Sequence, residues 1–101
     1  MTYVIGKGYF GTANITTTNA LNKEVLRPFL PTVTYGGTTS YKGAYKLSFK
    51  PFLDCHIKIN GGAEIFLEAD TLFNTDYYDL PINSLIIKEL GTQYLLWGAW
   101  D

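Results

Sequence analysis

The sequence predicts an all-β chain: a single β-sandwich or jelly-roll-like barrel of about seven or eight short strands, with a short helix near residues 19–27. Three observations predict it. Thr, Tyr, Phe, Val and Ile recur in short runs that alternate with polar residues, the pattern of half-buried strands. Ten glycines and four prolines cut those runs to strand length. The pattern continues along the chain without a linker, an internal repeat or a low-complexity segment. One domain, 1–101, is therefore expected, near the size at which a single core stands without covalent staples.

Taken in order, "TYVI", "YFGTANITT" and "TVTY" are expected as the first strands. The helix is expected in "NALNKEVLRP", where Asn19 is placed to cap it, Leu21 and Val25 share a face at i, i+4, and Pro28 stops it. "AYKLSFK" sets Tyr45, Leu47 and Phe49 on one face, and Lys46, Ser48 and Lys50 on the other. "CHIKI" repeats this, with Cys55, Ile57 and Ile59 inward and His56 and Lys58 outward. "NGG" at 60–62 supplies a hairpin turn, because Asn and Gly tolerate positive φ. "EIFLEA" then sets Ile65, Leu67 and Ala69 on one side, with Phe66 between Glu64 and Glu68 on the other. "SLIIKEL" and "QYLLWGAW" close the chain as two more strands, the last apolar on both faces and so expected to be covered.

Composition narrows the function classes. The chain is 47% hydrophobic and only 17% charged, the opposite of a disordered segment. Its net charge of −1 argues against a nucleic-acid partner, since phosphate binding is driven by clustered basic groups. No run approaches the roughly 18 apolar residues of a membrane span, and the opening "MTYVIGKGYFGTAN" lacks the basic and apolar regions of a secretion signal. No membrane partner is expected. The single cysteine cannot form an intramolecular disulfide. Asn14 opens an "NIT" triplet, a glycosylation acceptor in form alone.

The only histidine and the only cysteine are neighbours in "DCHIKINGGAEIFLEAD". On a strand, adjacent side chains leave opposite faces, so Cys55 and His56 cannot form a nucleophile–base pair with each other. Cys55 is expected as a buried thiol packing as a small hydrophobe, and His56 as a solvated imidazole. A multi-histidine metal site is excluded by count. Glu64, Glu68, Asp70, Asp76 and Asp79 fall in a stretch without an intervening cation, and the last three lie in an expected loop, "ADTLFNTDYYD". That loop lacks the calcium-binding D-x-[DN]-x-[DN]-G spacing. Ser40, Ser48 and Ser84 lack a G-x-S-x-G setting, and there is no phosphate-binding glycine loop. No catalytic residue, metal or cofactor is expected.

Binding is better represented. Tyr77 and Tyr78 stand between Asp76 and Asp79, and Trp97 and Trp100 close the chain. The two tyrosines are read as an interface or ligand contact, set against a packed loop, and the two tryptophans as core or subunit contacts. Charge is also uneven: residues 1–58 carry seven basic against two acidic residues, and residues 59–101 carry one against seven. An asymmetry of this kind favours a charged partner or another copy, unless strands from the two halves interleave.

The order of pieces "DCHIKINGGAEIFLEAD", "FNTDYYDLPINSLIIKE" and "GTQYLLWGAW", covering residues 51–101, resembles small all-β virion proteins of tailed bacteriophages. The resemblance implies a structural component displayed on a capsid or built into a tail or collar, with no active site to carry over. Residues and resemblance together give a non-enzymatic structural or binding protein, a capsid auxiliary or decoration component located in the virion. Its expected partners are other virion proteins or copies of itself, and its expected contacts are Phe66, Tyr77, Tyr78 and Trp100. The alternative is a carbohydrate-binding or host-adhesion module that holds a glycan at the acidic, tyrosine-containing loop 70–79.

Overall fold

The computed structural model describes residues 8–75 and 81–100. Within them the protein is all-β, with eleven strands, all of whose pairings are antiparallel. One sheet is built from β1 (Gly8–Gly11), β2 (Thr16–Thr17), β6 (Ala44–Pro51), β9 (Phe73–Thr75) and β11 (Gln93–Trp100). Its order is β1-β11-β6-β9, and β2 also pairs with β11. The second sheet contains β3 (Lys23–Glu24), β7 (Cys55–Ile59), β8 (Glu64–Leu67) and β10 (Leu85–Ile87), in the order β3-β10-β7-β8. A separate hairpin joins β4 (Thr32–Tyr35) to β5 (Thr38–Tyr41).

The core is sandwiched between the two main sheets. Leu47, Phe49, Tyr94 and Leu96 enter it from the first sheet, and Cys55, Ile57, Leu67, Leu85 and Ile87 from the second. Val25, Leu26, Leu30 and Ile82 close its rim. Phe49 is fully buried, and burying a side chain of that size contributes about 1.5–3 kcal/mol. The longest strands, β6 and β11, are each eight residues and lie side by side, so the apolar final strand is central, as its composition requires. Strands from the two halves of the chain alternate in both sheets, and the lengthwise charge asymmetry is folded into a mixture.

The expected helix near residues 19–27 is corrected. Asn22 adopts φ 51° in a turn, Lys23 and Glu24 pair with Ile87 and Ile86, and only a 3-10 turn, Arg27–Phe29, follows. Pro28 lies inside that turn rather than ending a helix. Leu21 is exposed, and the adjacent Val25 and Leu26 are both buried, so no i, i+4 face forms. The physical reason is Glu24. Its carboxylate accepts hydrogen bonds from the backbone N–H groups of Leu26, Arg27 and Leu85 and from the Ser84 hydroxyl, fastening the segment across to β10.

Three inward assignments, on two strands, also shift. Ala44, not Tyr45, takes the first inward place on β6, because the pairing slips between Ala99–Lys46 and Trp100–Ala44 and leaves Tyr45 as an extra residue. Such a bulge reverses the alternation on one side of itself. On β8, Leu67 is buried, but Ile65 is 40% exposed and Ala69 lies beyond the strand end. The expected "YFGTANITT" strand is divided into β1 and β2, which both pair with β11. β5 and β9 form where no strand was expected. The expected "TYVI" strand lies outside the described residues.

Candidate functional site

The outer face of the second sheet carries a compact group of interacting side chains. The β7–β8 hairpin brings Phe66 directly opposite His56, and their rings lie 5.2 Å apart between centroids, tilted by 54°. Asn60 (φ 51°) and Gly61 (φ 71°) make the turn that sets this register. The turn is also tied to the neighbouring chain segment. The Asn60 side-chain oxygen accepts from the N–H groups of Asn83 and Ser84, and its amide donates to the Pro81 carbonyl.

His56 is not freely solvated, in contrast to the expectation for a polar strand face. Glu89 grips it at two points: Oε1 accepts from the His56 backbone N–H at 2.7 Å, and Oε2 lies 2.7 Å from Nδ1. An ionised carboxylate can only accept, so Nδ1 donates to it and the ring is held in one orientation. Partial burial pushes the Glu89 carboxyl up, but the hydrogen bonds from the His56 backbone and ring outweigh it and hold the group below its ordinary range. The segment that carries Glu89 is itself pinned. Thr18 Oγ1 donates to the Glu89 carbonyl at 2.8 Å and accepts from Thr92 N–H at 2.9 Å. Gly91, at φ 82°, completes the bend. Beside the pair, Lys88 Nζ reaches Glu64 Oε1 at 3.4 Å.

Phe66 caps this group and is 53% exposed. It stands on β8, an edge strand of its sheet, so the aromatic ring lies next to backbone groups without a strand partner among the described residues. Cys55 leaves the opposite face, is buried, and has its thiol pushed up to about 11 by burial, with the charges of Glu89 and Asp54 adding to the effect. That thiol is inert at neutral pH. Among the described residues no hydroxyl hydrogen-bonds to His56: Ser84 is engaged with Glu24, and Ser48 with Asn74. The His56–Glu89 pair thus orients an imidazole under an exposed aromatic ring, with no hydroxyl bonded to it among the described residues. Together these residues present an apolar centre, an oriented imidazole and a rim of paired charges.

The remaining expected contacts divide. Trp100 is half-buried against the core and lies over Gly8, where an added Cβ would stand 2.8 Å from the indole. Tyr77, Tyr78, Asp76 and Asp79 lie outside the described residues, and so does most of the acidic end of loop 70–79. Asp70 is in a turn with φ 65°. Among the described residues no three His, Cys, Asp or Glu side chains converge as they would to hold a metal ion, and no helix is long and apolar enough to cross a membrane.

Sequence reasoning missed Glu89, which lies 33 residues beyond its partner and has no local signature. It also missed the β4–β5 hairpin, for which the signal was present: Gly36 and Gly37 between two threonine- and tyrosine-rich runs. No protein-family model matches the chain, and neither a curated protein nor a solved structure gives a match.

Proposed function

We propose that this protein is a non-enzymatic structural and binding domain that acts by adhering to other protein chains, as a capsid auxiliary or decoration component of a phage virion. The observation that carries the adhesive reading is Phe66, half exposed at the centre of an ordered polar rim on an edge strand. A large aromatic held in place before binding loses little conformational entropy when it docks, which suits it to the centre of an interface. The virion assignment is supported by the resemblance of residues 51–101 to phage virion proteins, and the partners it implies are neighbouring virion subunits or further copies of the chain.

The test is sedimentation of the wild type and of Phe66→Ser, each alone and with capsid shells that lack this protein. The wild type is expected to associate with itself or with the shells. Phe66→Ser is expected to weaken that association at least tenfold while shifting its melting temperature little, because about half of the residue it removes is already exposed. A wild type that stays monomeric and ignores the shells would overturn the reading. Retention on a glycan array by that same monomer would replace it with the carbohydrate-binding module.

A further inference from the structure

The β4–β5 hairpin is a sheet of two strands with no third strand beside it among the described residues. Every residue of both strands is exposed. A two-stranded hairpin is at best marginally stable in water, since it has no second layer to cover either face. This one nevertheless has strong local reasons to form: Gly36 and Gly37 take the positive φ of a tight turn, the strands are rich in Thr and Tyr, and Thr34 and Thr39 share a cross-strand hydrogen bond of 3.0 Å. It is a preformed arm without a seat among the described residues.

Its two faces differ. Thr32, Thr34, Thr39 and Tyr41 share one face, and the base of that face is held by the Arg27 guanidinium, 4.8 Å above the Tyr41 ring. Val33, Tyr35, Thr38 and Ser40 share the other. Tyr35 is 88% exposed there, beside the exposed Val33. The arm has no charged residue from 32 to 41, while its base is flanked by Arg27 and Lys42. The β8 edge has the complementary make-up. It is four residues long, as are β4 and β5, it exposes Ile65 and Phe66, and it runs through Glu64 toward Glu68 and Asp70.

We infer that the β4–β5 arm of one copy docks along the β8 edge of a second copy, extending its four-stranded sheet. Val33 and Tyr35 cover Phe66, and the basic base of the arm faces the acidic exit of β8. This rests on the adhesive reading above and names its partner. Added strands gain affinity from backbone hydrogen bonds and specificity from the side chains that alternate beside them. Donor and acceptor are different surfaces, so the contact is either repeated head-to-tail into a ring or filament or made twice in a reciprocal two-fold dimer.

The experiment uses the full chain, comparing wild type, Phe66→Ser, and an arm variant with both Val33→Asp and Tyr35→Asp, by sedimentation. Both variants are expected to be monomers at concentrations where the wild type assembles. Mixed together, they are expected to yield a complex of two chains that grows no further, since one supplies the only intact arm and the other the only intact edge. An arm variant that still assembles like the wild type would overturn this inference and leave the adhesive reading standing. Arm-dependent binding to foreign shells by a chain that never self-associates would overturn the second-copy assignment. A wild type that neither self-associates nor binds shells would sink both.

Should the double aspartate variant fail to fold, short bis-maleimide cross-linking of a Tyr35→Cys chain mixed with a Glu68→Cys chain reads the same contact, since Cys55 is buried. The mixed cross-link is expected to form at least tenfold faster than links between two Tyr35→Cys chains. Equal rates would overturn the proposal.

Discussion

Glu89 holds His56 by both its backbone N–H and its ring, at 2.7 Å each, and so joins the β10–β11 link to the β7–β8 hairpin. Glu89→Gln should lower stability at pH 7 by about 1 kcal/mol, a charge-assisted contact discounted for its partial exposure. The pH dependence follows from the depressed carboxyl. Its contribution is present above the ordinary carboxylate range and is lost as the pH falls through the lower folded-state value. Urea titrations across the acidic range should therefore show wild type and Glu89→Gln converging at low pH. A constant gap at every pH would mean that the carboxylate charge contributes nothing.

Cys55 makes the opposite prediction at the alkaline end. Burial raises its thiol from 9.0 to about 11, so the folded state keeps a proton that the unfolded chain gives up. Stability tied to this group is intact below pH 9 and falls as the pH rises toward 11. Cys55→Ala should cost about 1 kcal/mol at neutral pH, and its deficit relative to wild type should shrink over that alkaline window. Rapid labelling of the native protein by a thiol reagent at pH 7 would show that the group is not enclosed.

Asn60 combines a left-handed backbone with three side-chain hydrogen bonds to the 81–84 segment. Asn60→Gly keeps the conformation and removes the bonds; Asn60→Ala removes both advantages. We expect losses of about 1–2 kcal/mol for glycine and about 1 kcal/mol more for alanine. Chemical denaturation separates the two contributions. Equal losses would assign the whole effect to the side-chain bonds.

Gly98 sits on the inward face of β11 between β1 and β6. A Cβ there would press on the carbonyl oxygen of Lys46 and stand 2.9 Å from Phe10 Cζ. Backbone of a central strand cannot yield as a flexible side chain can, so Gly98→Ala should cost at least about 2 kcal/mol. Gly61→Ala offers a contrast, since open space surrounds it and only its φ of 71° resists substitution; it should cost about 1 kcal/mol. Thermal melts of the two variants should rank them in that order.

Alternation and turn residues along the chain are enough to specify the class of the fold and much of its inward face. Leu47, Phe49, Cys55 and Ile57 are buried where a two-residue period places them, and the Asn60–Gly61 turn forms where local backbone preference demands it. These are legible because alternation and turn chemistry act between residues close in the chain. Tertiary structure decided which strands become neighbours. It drew residues 23–24 into a sheet through the Glu24 carboxylate, overriding a helical spacing that had no tertiary face to bury. It placed a bulge at Tyr45 and brought Glu89 to His56; among the described residues it left the β4–β5 hairpin without a third strand and set Phe66 at an edge. Each depends on pairing between segments tens of residues apart. In such pairing the free energy comes from register and shared burial, and no local window of sequence contains both partners.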